Sequence, residues 1–181
     1  MTNLIIPTKV PASINPLSPN GFMFSINKLP ELEYFCQDAN IPGITLGEAI
    51  QATPFVMVPV PGEMITYDTL NIKFLVDENM ANYIAIHNWI IALGFPENNS
   101  QYIDFIDSNQ QAQLSELAKN YSSGVLQILG NTNNPIKNID FIDLFPINLG
   151  TVSFQSTNQD VQYIVGDATF RYSYYKFSSL I

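Results

Sequence analysis

Apolar and polar residues alternate over residues 70–76, and the spacing then changes to that of a helix. The apolar members of the alternating stretch are Leu70, Ile72, Phe74 and Val76. Side chains two residues apart lie on the same face of a strand, so this stretch predicts a strand with one buried face. Two acids and an asparagine follow at residues 77–79, where a helix N-terminus favours them. With Gly94 and Pro96 as stop signals, the sequence predicts a helix over Glu78–Leu93.

One face of the predicted helix carries large side chains that recur every three or four residues. They are Met80, Ile84, His87 and Ile91. Because positions at this spacing share one side of a helix, we expect Ile84, His87 and Ile91 to face the core and to support the sheet. His87 is the only histidine of the chain. A single histidine on such a face is more typical of a packed or interface residue than of a catalytic base.

Two-residue alternation predicts a further set of strands and a mainly β (α+β) chain. These strands span Phe22–Ile26, Leu32–Cys36, Val125–Leu129, Ile139–Phe145, Thr151–Gln155 and Val161–Phe177. The first two are adjacent, so we expect them to pair as a hairpin. The residues predicted to share one face of the last strand are Ala168, Phe170, Tyr172 and Tyr174. Gly166 is predicted to mark a bulge or bend, and the expected fold is an antiparallel β-barrel or sandwich flanked by one main α-helix.

Prolines mark two segments that do not fit central strands. Residues 1–20 hold four prolines and are predicted to form an extended arm ahead of a single domain over residues 21–181. Residues 54–61 are apolar but contain three prolines, so we expect an edge strand or a projecting loop there. A long exposed apolar loop is unusual in a monomer and favours an interface. The predicted interface residues are Pro54, Phe55, Val56, Met57 and Val58.

The chain is long enough for one domain with a full core, and its charge is one-sided. Its 181 residues include seven basic and sixteen acidic side chains, for a net charge of −9. Nucleic-acid binding through phosphates requires a basic surface, so the composition argues against it. The low charge content and 12% aromatic residues suggest surfaces that other subunits cover. Neither a signal peptide nor a transmembrane helix is expected from the apolar pattern.

The sequence offers little for catalysis or metal binding. Cys36, the only cysteine, falls on an apparently buried strand face, which favours a packing role over a nucleophile. The pairs Asp104/Asp107 and Asp140/Asp143 could offer oxygens to calcium, but residues three apart on a strand point to opposite faces. We therefore predict no enzyme activity, no cofactor and no metal site.

The order of elements and several local patterns resemble the T4-like phage tail tube protein family. Tyr34–Pro42 resembles the end of that family's second strand, with its pattern of Phe-x-Cys-x, a few residues and then Pro. Asp68–Asp77, followed by an acid-capped helix containing Trp89, is similar to its strand–helix unit. Gly150–Gln155 and the aromatic stretch Thr169–Phe177 resemble its closing hairpin.

The resemblance implies a virion structural protein of a contractile-tailed phage, a tube subunit whose hexameric rings line the DNA channel. Its implied partners are further copies of itself and the tube, sheath, terminator or baseplate proteins. Assembly would take place in the host cytoplasm, and the final location would be the tail. A negative channel wall repels DNA phosphates, so DNA would pass without specific binding. Residues 54–58 would contact the next ring or the sheath.

Other interpretations remain open from the sequence alone. A tail terminator or completion protein, or a baseplate ring that initiates the tube, would have the same fold. A monomeric all-β ligand-binding module would use the aromatic last strand as a platform for a sugar or base, although aromatic residues are also preferred strand formers. A hydrolase that uses paired carboxylates is the third class, and no particular pair stands out.

Overall fold

The computed structural model describes residues 15–94, 98, 100, 101, 103, 120–155 and 163–179. The strands are β1 (Phe22–Ile26), β2 (Cys36–Ala39), β3 (Ile44–Ala52), β4 (Met57–Tyr67), β5 (Leu70–Leu75), β6 (Ser122–Leu129), β7 (Pro135–Leu149), β8 (Val165–Arg171) and β9 (Tyr174–Ser179). The helices are α1 (Glu31–Phe35) and α2 (Ala81–Gly94). The predicted mainly β fold with antiparallel strands and one main helix is confirmed. Most of the predicted N-terminal arm lies outside the described residues, so its extended course stays a prediction.

The long strand β7 belongs to two sheets and joins them. Residues 137–142 of β7 lie between β6 and β9, and β1 continues this first sheet beyond β6. Residues 145–149 pair with β8, and the second sheet continues through β5 to β2. Asp143 lies at the change of sheet and has a φ of 56°, a conformation that non-glycine residues adopt rarely. The Ser173 hydroxyl donates to the Asp143 carboxylate (2.9 Å), which ties this corner of β7 to the β8–β9 turn.

The inner faces of both sheets enclose the core, and α2 covers it. Its fully buried larger side chains include Phe24, Ile26, Leu32, Leu70, Ile72, Phe74, Ile86, Trp89, Phe141 and Phe170. Leu70, Ile72 and Phe74 are buried while the residues between them are exposed, as the alternation predicts. Each such side chain contributes roughly 1.5–3 kcal/mol when it leaves water.

Helix α2 presents a different face to the core from the predicted one. Its buried residues are Asn82, Ile86, Trp89 and Ala92. Ile84 is 47% exposed, His87 is exposed, and Ile91 is only half-buried, so the prediction that these three face the core is wrong. The helix carries isoleucines around much of its circumference, and spacing alone therefore does not select the inward face.

The predicted strand Leu32–Cys36 is also wrong in its first part. Residues 31–35 form the short helix α1, which buries Leu32, and strand pairing begins only at Cys36. Pro30 has helical backbone angles, and the Glu33 amide donates to the Pro30 carbonyl (3.3 Å). Strand β1 pairs with β6 and β2 pairs with β5, so the expected β1–β2 hairpin is absent.

The C-terminal part differs from the predicted long strand. It breaks at residues 172–173 into β8 and β9, and Tyr174 is exposed instead of sharing the buried face of Phe170. Residues 151–155 form no strand. Gly166 does not form a bulge, because the pairing of β8 with β5 is regular at this residue. A Cβ at Gly166 would lie 2.9 Å from the Phe74 ring. Glycine at this position makes room for that ring in the core.

Candidate assembly surface

Strands β3 and β4 form a hairpin that is a sheet of its own and pairs with no other described strand. An 11-residue strand such as β4 spans about 36 Å, so the hairpin is long for a domain of this size. At its start, the Asp68 amide donates to the Gly43 carbonyl (3.0 Å). The structure therefore supports the expectation that this segment is not a central strand. It shows antiparallel pairing, with one register shift between Leu46 and Glu48, where a loop was the other possibility.

The predicted interface residues lie at the tip of this hairpin. Pro54, Phe55 and Val56 form the turn, while Met57 and Val58 begin β4. Phe55 is 97% exposed, and the other four are also exposed. The Thr53 hydroxyl donates to the Val56 carbonyl (2.6 Å), and the Val56 amide donates back to that hydroxyl (3.1 Å). The tip is thus a defined turn that presents apolar side chains to solvent.

Nearer the domain, the hairpin has one apolar and one polar face. The residues on the apolar face are Ile44, Leu46, Ile65 and Tyr67, and those opposite are Thr45 and Thr66. Leu46 and Ile65 lie across from each other and are both about half exposed. The Tyr67 ring contacts the rings of Tyr172 and Tyr175, with centroids 5.9 and 5.6 Å away. The exposed apolar face is therefore continuous with the aromatic part of the core.

Strand β9 is the outer strand of the first sheet and lies next to the rings of Tyr67 and Tyr172. Among the described strands it pairs with β7 alone. Phe177 lies across from the fully buried Ile139, on the side of the sheet that faces the core, yet it is 61% exposed. Its ring contacts that of Tyr175 at 5.7 Å. The core is thus uncovered along this edge of the single chain.

The candidate catalytic residues are not brought together. His87 lies exposed on α2, and its Nδ1 contacts only the neighbouring Asn88 amide oxygen (3.4 Å) among the described contacts. Burial raises the pKa of the Cys36 thiol to about 11, which is the opposite of what a nucleophile requires. The Cys36 Sγ donates to the Asp38 carbonyl at 3.6 Å. Burial also raises the pKa of the Tyr172 hydroxyl, which donates to the Asp68 carbonyl (2.9 Å).

The described residues contain no group of three or more His, Cys, Asp or Glu side chains that could hold a metal ion. Asp104 and Asp107 lie outside these residues. Within the same part of the chain, no helix has the length and apolar character needed to cross a membrane.

Sequence reasoning did not single out two features of this surface. The first is the antiparallel pairing of β3 with β4, whose signal is the alternation of Ile44 and Leu46 with Thr45. The second is the open edge of β9. That edge depends on which strands become neighbours, and no local pattern carries this information.

Comparison with known proteins supports the resemblance to phage tail proteins that the sequence shows. The phage tail tube protein family matches residues 3–178. The tail tube terminator protein of Enterobacteria phage T4 is 25% identical over 169 residues, which cover 90% of this chain and 89% of the relative.

Solved structures show the same fold. A chain of the anti-feeding prophage baseplate superimposes with a TM-score of 0.60 and 12% identity, covering 91% of this chain and 97% of that one. The tube-terminating cap of the anti-feeding prophage superimposes with a TM-score of 0.56 and 14% identity, covering 98% of this chain and 100% of that one. The resemblance noted in the sequence is confirmed, as is the expectation that the protein is not an enzyme. The chain belongs to the phage tail tube protein family and is a structural tail protein.

Proposed function

We propose that this protein is the tail tube terminator of a contractile-tailed phage, with six copies in one ring that closes the end of the tube. The end-to-end similarity to the T4 terminator supports this choice over the repeated tube subunit that the sequence alone favoured. A baseplate ring that initiates the tube is the third member of the same class, and the fold alone does not distinguish it. The proposed location is the phage tail, after assembly in the host cytoplasm.

The observation that carries an assembly function is the isolated β3–β4 hairpin. An isolated two-stranded hairpin is at best marginally stable in water. This one exposes large apolar side chains along its whole length, and the exposed set is Ile44, Leu46, Ile50, Phe55, Val56, Met57, Val58, Met64 and Ile65. A patch of this kind typically marks a contact with another protein. A closed ring would cover the apolar surface and remove open sheet edges at the same time.

The hairpin tip is the proposed contact with the end of the tube. Residues 54–58 lie farthest along the hairpin from the domain, so they can reach beyond the ring that the domains form. Phe55 supplies an aromatic side chain of the kind that dominates interface energies. The sheath is the alternative partner for the same residues, as the sequence suggested.

The net charge of −9 fits a ring through which DNA passes. Acidic residues repel DNA phosphates, so a channel that they line would not retain the genome. We place no individual carboxylate in the channel. DNA is therefore a passing molecule in this proposal and not a specific ligand.

Copy number in the mature virion tests the proposal. Quantitative mass spectrometry should find one hexameric ring of this protein per tail, and negative-stain microscopy should show rings formed by the purified chain. Copies in proportion to tube length would instead identify the repeated tube subunit. A chain that stays monomeric at high concentration, even with tubes present, would contradict both.

A matched pair of variants tests the role of the tip. Phe55→Ser should still form rings but should fail to bind tube ends in a co-sedimentation assay. Tyr34→Ser removes another strongly exposed aromatic side chain (88%), which lies on α1 and outside the hairpin, and this variant should bind as the unmodified protein does. Equal tube binding by both variants would remove the tip from the interface.

A further inference from the structure

The β3–β4 hairpin is connected to the second sheet through a short region in which strand pairing is interrupted. Strands β2 and β5 pair as far as Ala39, and β3 and β4 begin to pair at Ile44. Between these pairs lie residues 40–43 on one segment and residues 68–71 on the other, which together we call the joint. Hinges in proteins typically consist of a few residues at the ends of elements. The joint is therefore the place where the hairpin could change its direction relative to the domain.

Few hydrogen bonds cross the joint from one segment to the other. At the end next to the domain, the Asn40 amide donates to the Asn71 carbonyl (3.3 Å), and the Asn71 amide donates to the Asn40 side chain (2.6 Å). At the end next to the hairpin, the Asp68 amide donates to the Gly43 carbonyl (3.0 Å). Pro42 has no N–H that could add a second bond there. A single main-chain hydrogen bond does not fix the direction of a long two-stranded hairpin.

Two tyrosine hydroxyls bind the hairpin end of the joint, one on each segment. The Tyr175 hydroxyl donates to the Pro42 carbonyl (3.2 Å), two residues before β3 begins. The Tyr172 hydroxyl donates to the Asp68 carbonyl (2.9 Å), directly after β4 ends. The ring of Tyr67, the last residue of β4, contacts both tyrosine rings. Because the two bonds lie on different segments, they resist twisting of the hairpin as well as bending.

The two tyrosines are themselves held by the core, so they form a firm support. Tyr172 is 8% exposed, and its ring lies 5.1 Å from that of the fully buried Phe141. Tyr175 is half-buried, lies across from Phe141 in the β7–β9 pair and contacts the same ring at 5.8 Å. Side chains packed in a core occupy defined rotamers. The first sheet therefore sets the direction of a hairpin whose strands continue from the second sheet.

We propose that Tyr172 and Tyr175 are positioning residues, whose hydroxyls hold the β3–β4 hairpin in one direction before assembly so that its tip meets the tube end preorganised. This inference rests on the proposed function and names the residues that prepare its contact surface. A hairpin that swings at the joint is in the binding direction for only a fraction of the time, and its apparent affinity falls by that fraction. One hydrogen bond shifts such an equilibrium by about two- to tenfold, and here two bonds act on the same equilibrium.

A distance measurement in the monomer tests whether the hydroxyls hold the hairpin. Spin labels are attached through Gln51→Cys on β3 and Asn88→Cys on α2, both exposed positions, in a chain that also carries Cys36→Ala. Electron paramagnetic resonance then gives the distribution of distances between hairpin and domain, below the concentration at which rings form. With both tyrosines present, the distribution should be single and narrow.

Phenylalanine variants remove the hydroxyls while retaining the ring contacts. The double variant Tyr172→Phe/Tyr175→Phe should widen the distance distribution by at least about twofold. It should also need about tenfold or more protein for half-maximal binding to tube ends, at a temperature at which circular dichroism shows it to be folded. Tyr174→Phe is the matched control, since Tyr174 points to the opposite face of β9 and its hydroxyl has no hydrogen bond among the described contacts. That variant should match the unmodified chain in both measurements.

Hydrogen exchange provides a measurement that needs no label. In the monomeric double variant, the Asp68 amide should exchange at least about tenfold faster than in the unmodified monomer, while the amides of α2 should be unchanged. An unchanged distance distribution and unchanged exchange, or a released hairpin that binds tube ends as well as before, would overturn the positioning role and leave the terminator function standing. Failure of the proposed function would instead show in the unmodified chain, as absence of tube-end binding, and would overturn both.

Discussion

The side-chain amide of Asn82 donates a hydrogen bond of 2.7 Å to the carbonyl oxygen of Leu75, the last residue of β5. The Asn82 Oδ1 accepts from the amides of Tyr83 (2.8 Å) and Asp77 (3.3 Å). Asn82 is only 1% exposed, so water cannot replace these partners. One buried side chain therefore connects the end of β5 to the first turn of α2 and fixes which face of the helix meets the core.

Replacing Asn82 by alanine should destabilise the protein by about 2–3 kcal/mol. The change removes three hydrogen bonds and leaves the partly buried Leu75 carbonyl and Asp77 amide without their partner. Urea unfolding followed by circular dichroism measures the loss. Asn88→Ala, an exposed asparagine on the same helix, should change the free energy of unfolding by less than about 0.5 kcal/mol. Equal effects of the two variants would contradict the anchoring role of Asn82.

Two isoleucines of α2 give a sharp test of the helix orientation. Ile86→Ala should cost about 2–5 kcal/mol, because Ile86 is fully buried and its truncation leaves a cavity. Ile84→Ala should cost less than about 1 kcal/mol in the monomer, because Ile84 is 47% exposed. Thermal unfolding of the two variants compares them directly. A larger effect at Ile84 would restore the face that the sequence spacing predicted.

The contrast between the β5 strand and α2 explains how far the sequence could predict this fold. Leu70, Ile72 and Phe74 alternate with polar residues, and a two-residue period leaves only one possible buried face. Along α2 the apolar residues are too many to define a single face, so the Asn82 hydrogen bonds decide the orientation. A buried asparagine in a helix has no distinctive pattern in a single sequence, because asparagine is usually exposed or capping.

The candidate assembly surface could be predicted from the sequence only where its signal is local. The apolar, proline-containing composition of residues 54–58 indicates an exposed segment regardless of its neighbours. The open edge of β9 arises because β5 pairs with β8, and no described strand continues beside β9 on the side away from β7. Such an edge depends on contacts between strands that are distant in the sequence, so periodicity within a strand cannot reveal it.

Gly166 and Gly94 form a matched pair for testing core packing. Gly166→Ala should destabilise by about 1–3 kcal/mol, because its Cβ would lie 2.9 Å from Cζ of the buried Phe74 ring. Gly94→Ala should be neutral or stabilising by up to about 1 kcal/mol, since nothing lies within 4 Å of its Cβ position and alanine favours the helix. Chemical denaturation of both variants gives the two values. Tolerance of alanine at residue 166 would mean that the Phe74 ring can move aside.

The Cys36 thiol provides a prediction about pH. Its pKa rises from an ordinary value of 9.0 to about 11 because burial disfavours the thiolate. At pH 8.5, labelling by iodoacetamide should therefore be about a hundredfold slower in the folded chain than in urea. The folded-state labelling rate should continue to rise up to about pH 11, while the rate in urea should level off above pH 9.

The same shift fixes the sign of the stability change at alkaline pH. Between pH 9 and about 11 the unfolded chain loses the Cys36 proton while the folded chain retains it. The unfolded state then binds fewer protons, so this group lowers the free energy of unfolding as the pH rises through that interval. Cys36→Ala removes this contribution, and its stability should fall less steeply with pH than that of the unmodified protein. Parallel curves for the two proteins, together with equally fast labelling of the folded chain and the chain in urea, would show that the thiol is accessible and that its pKa is ordinary.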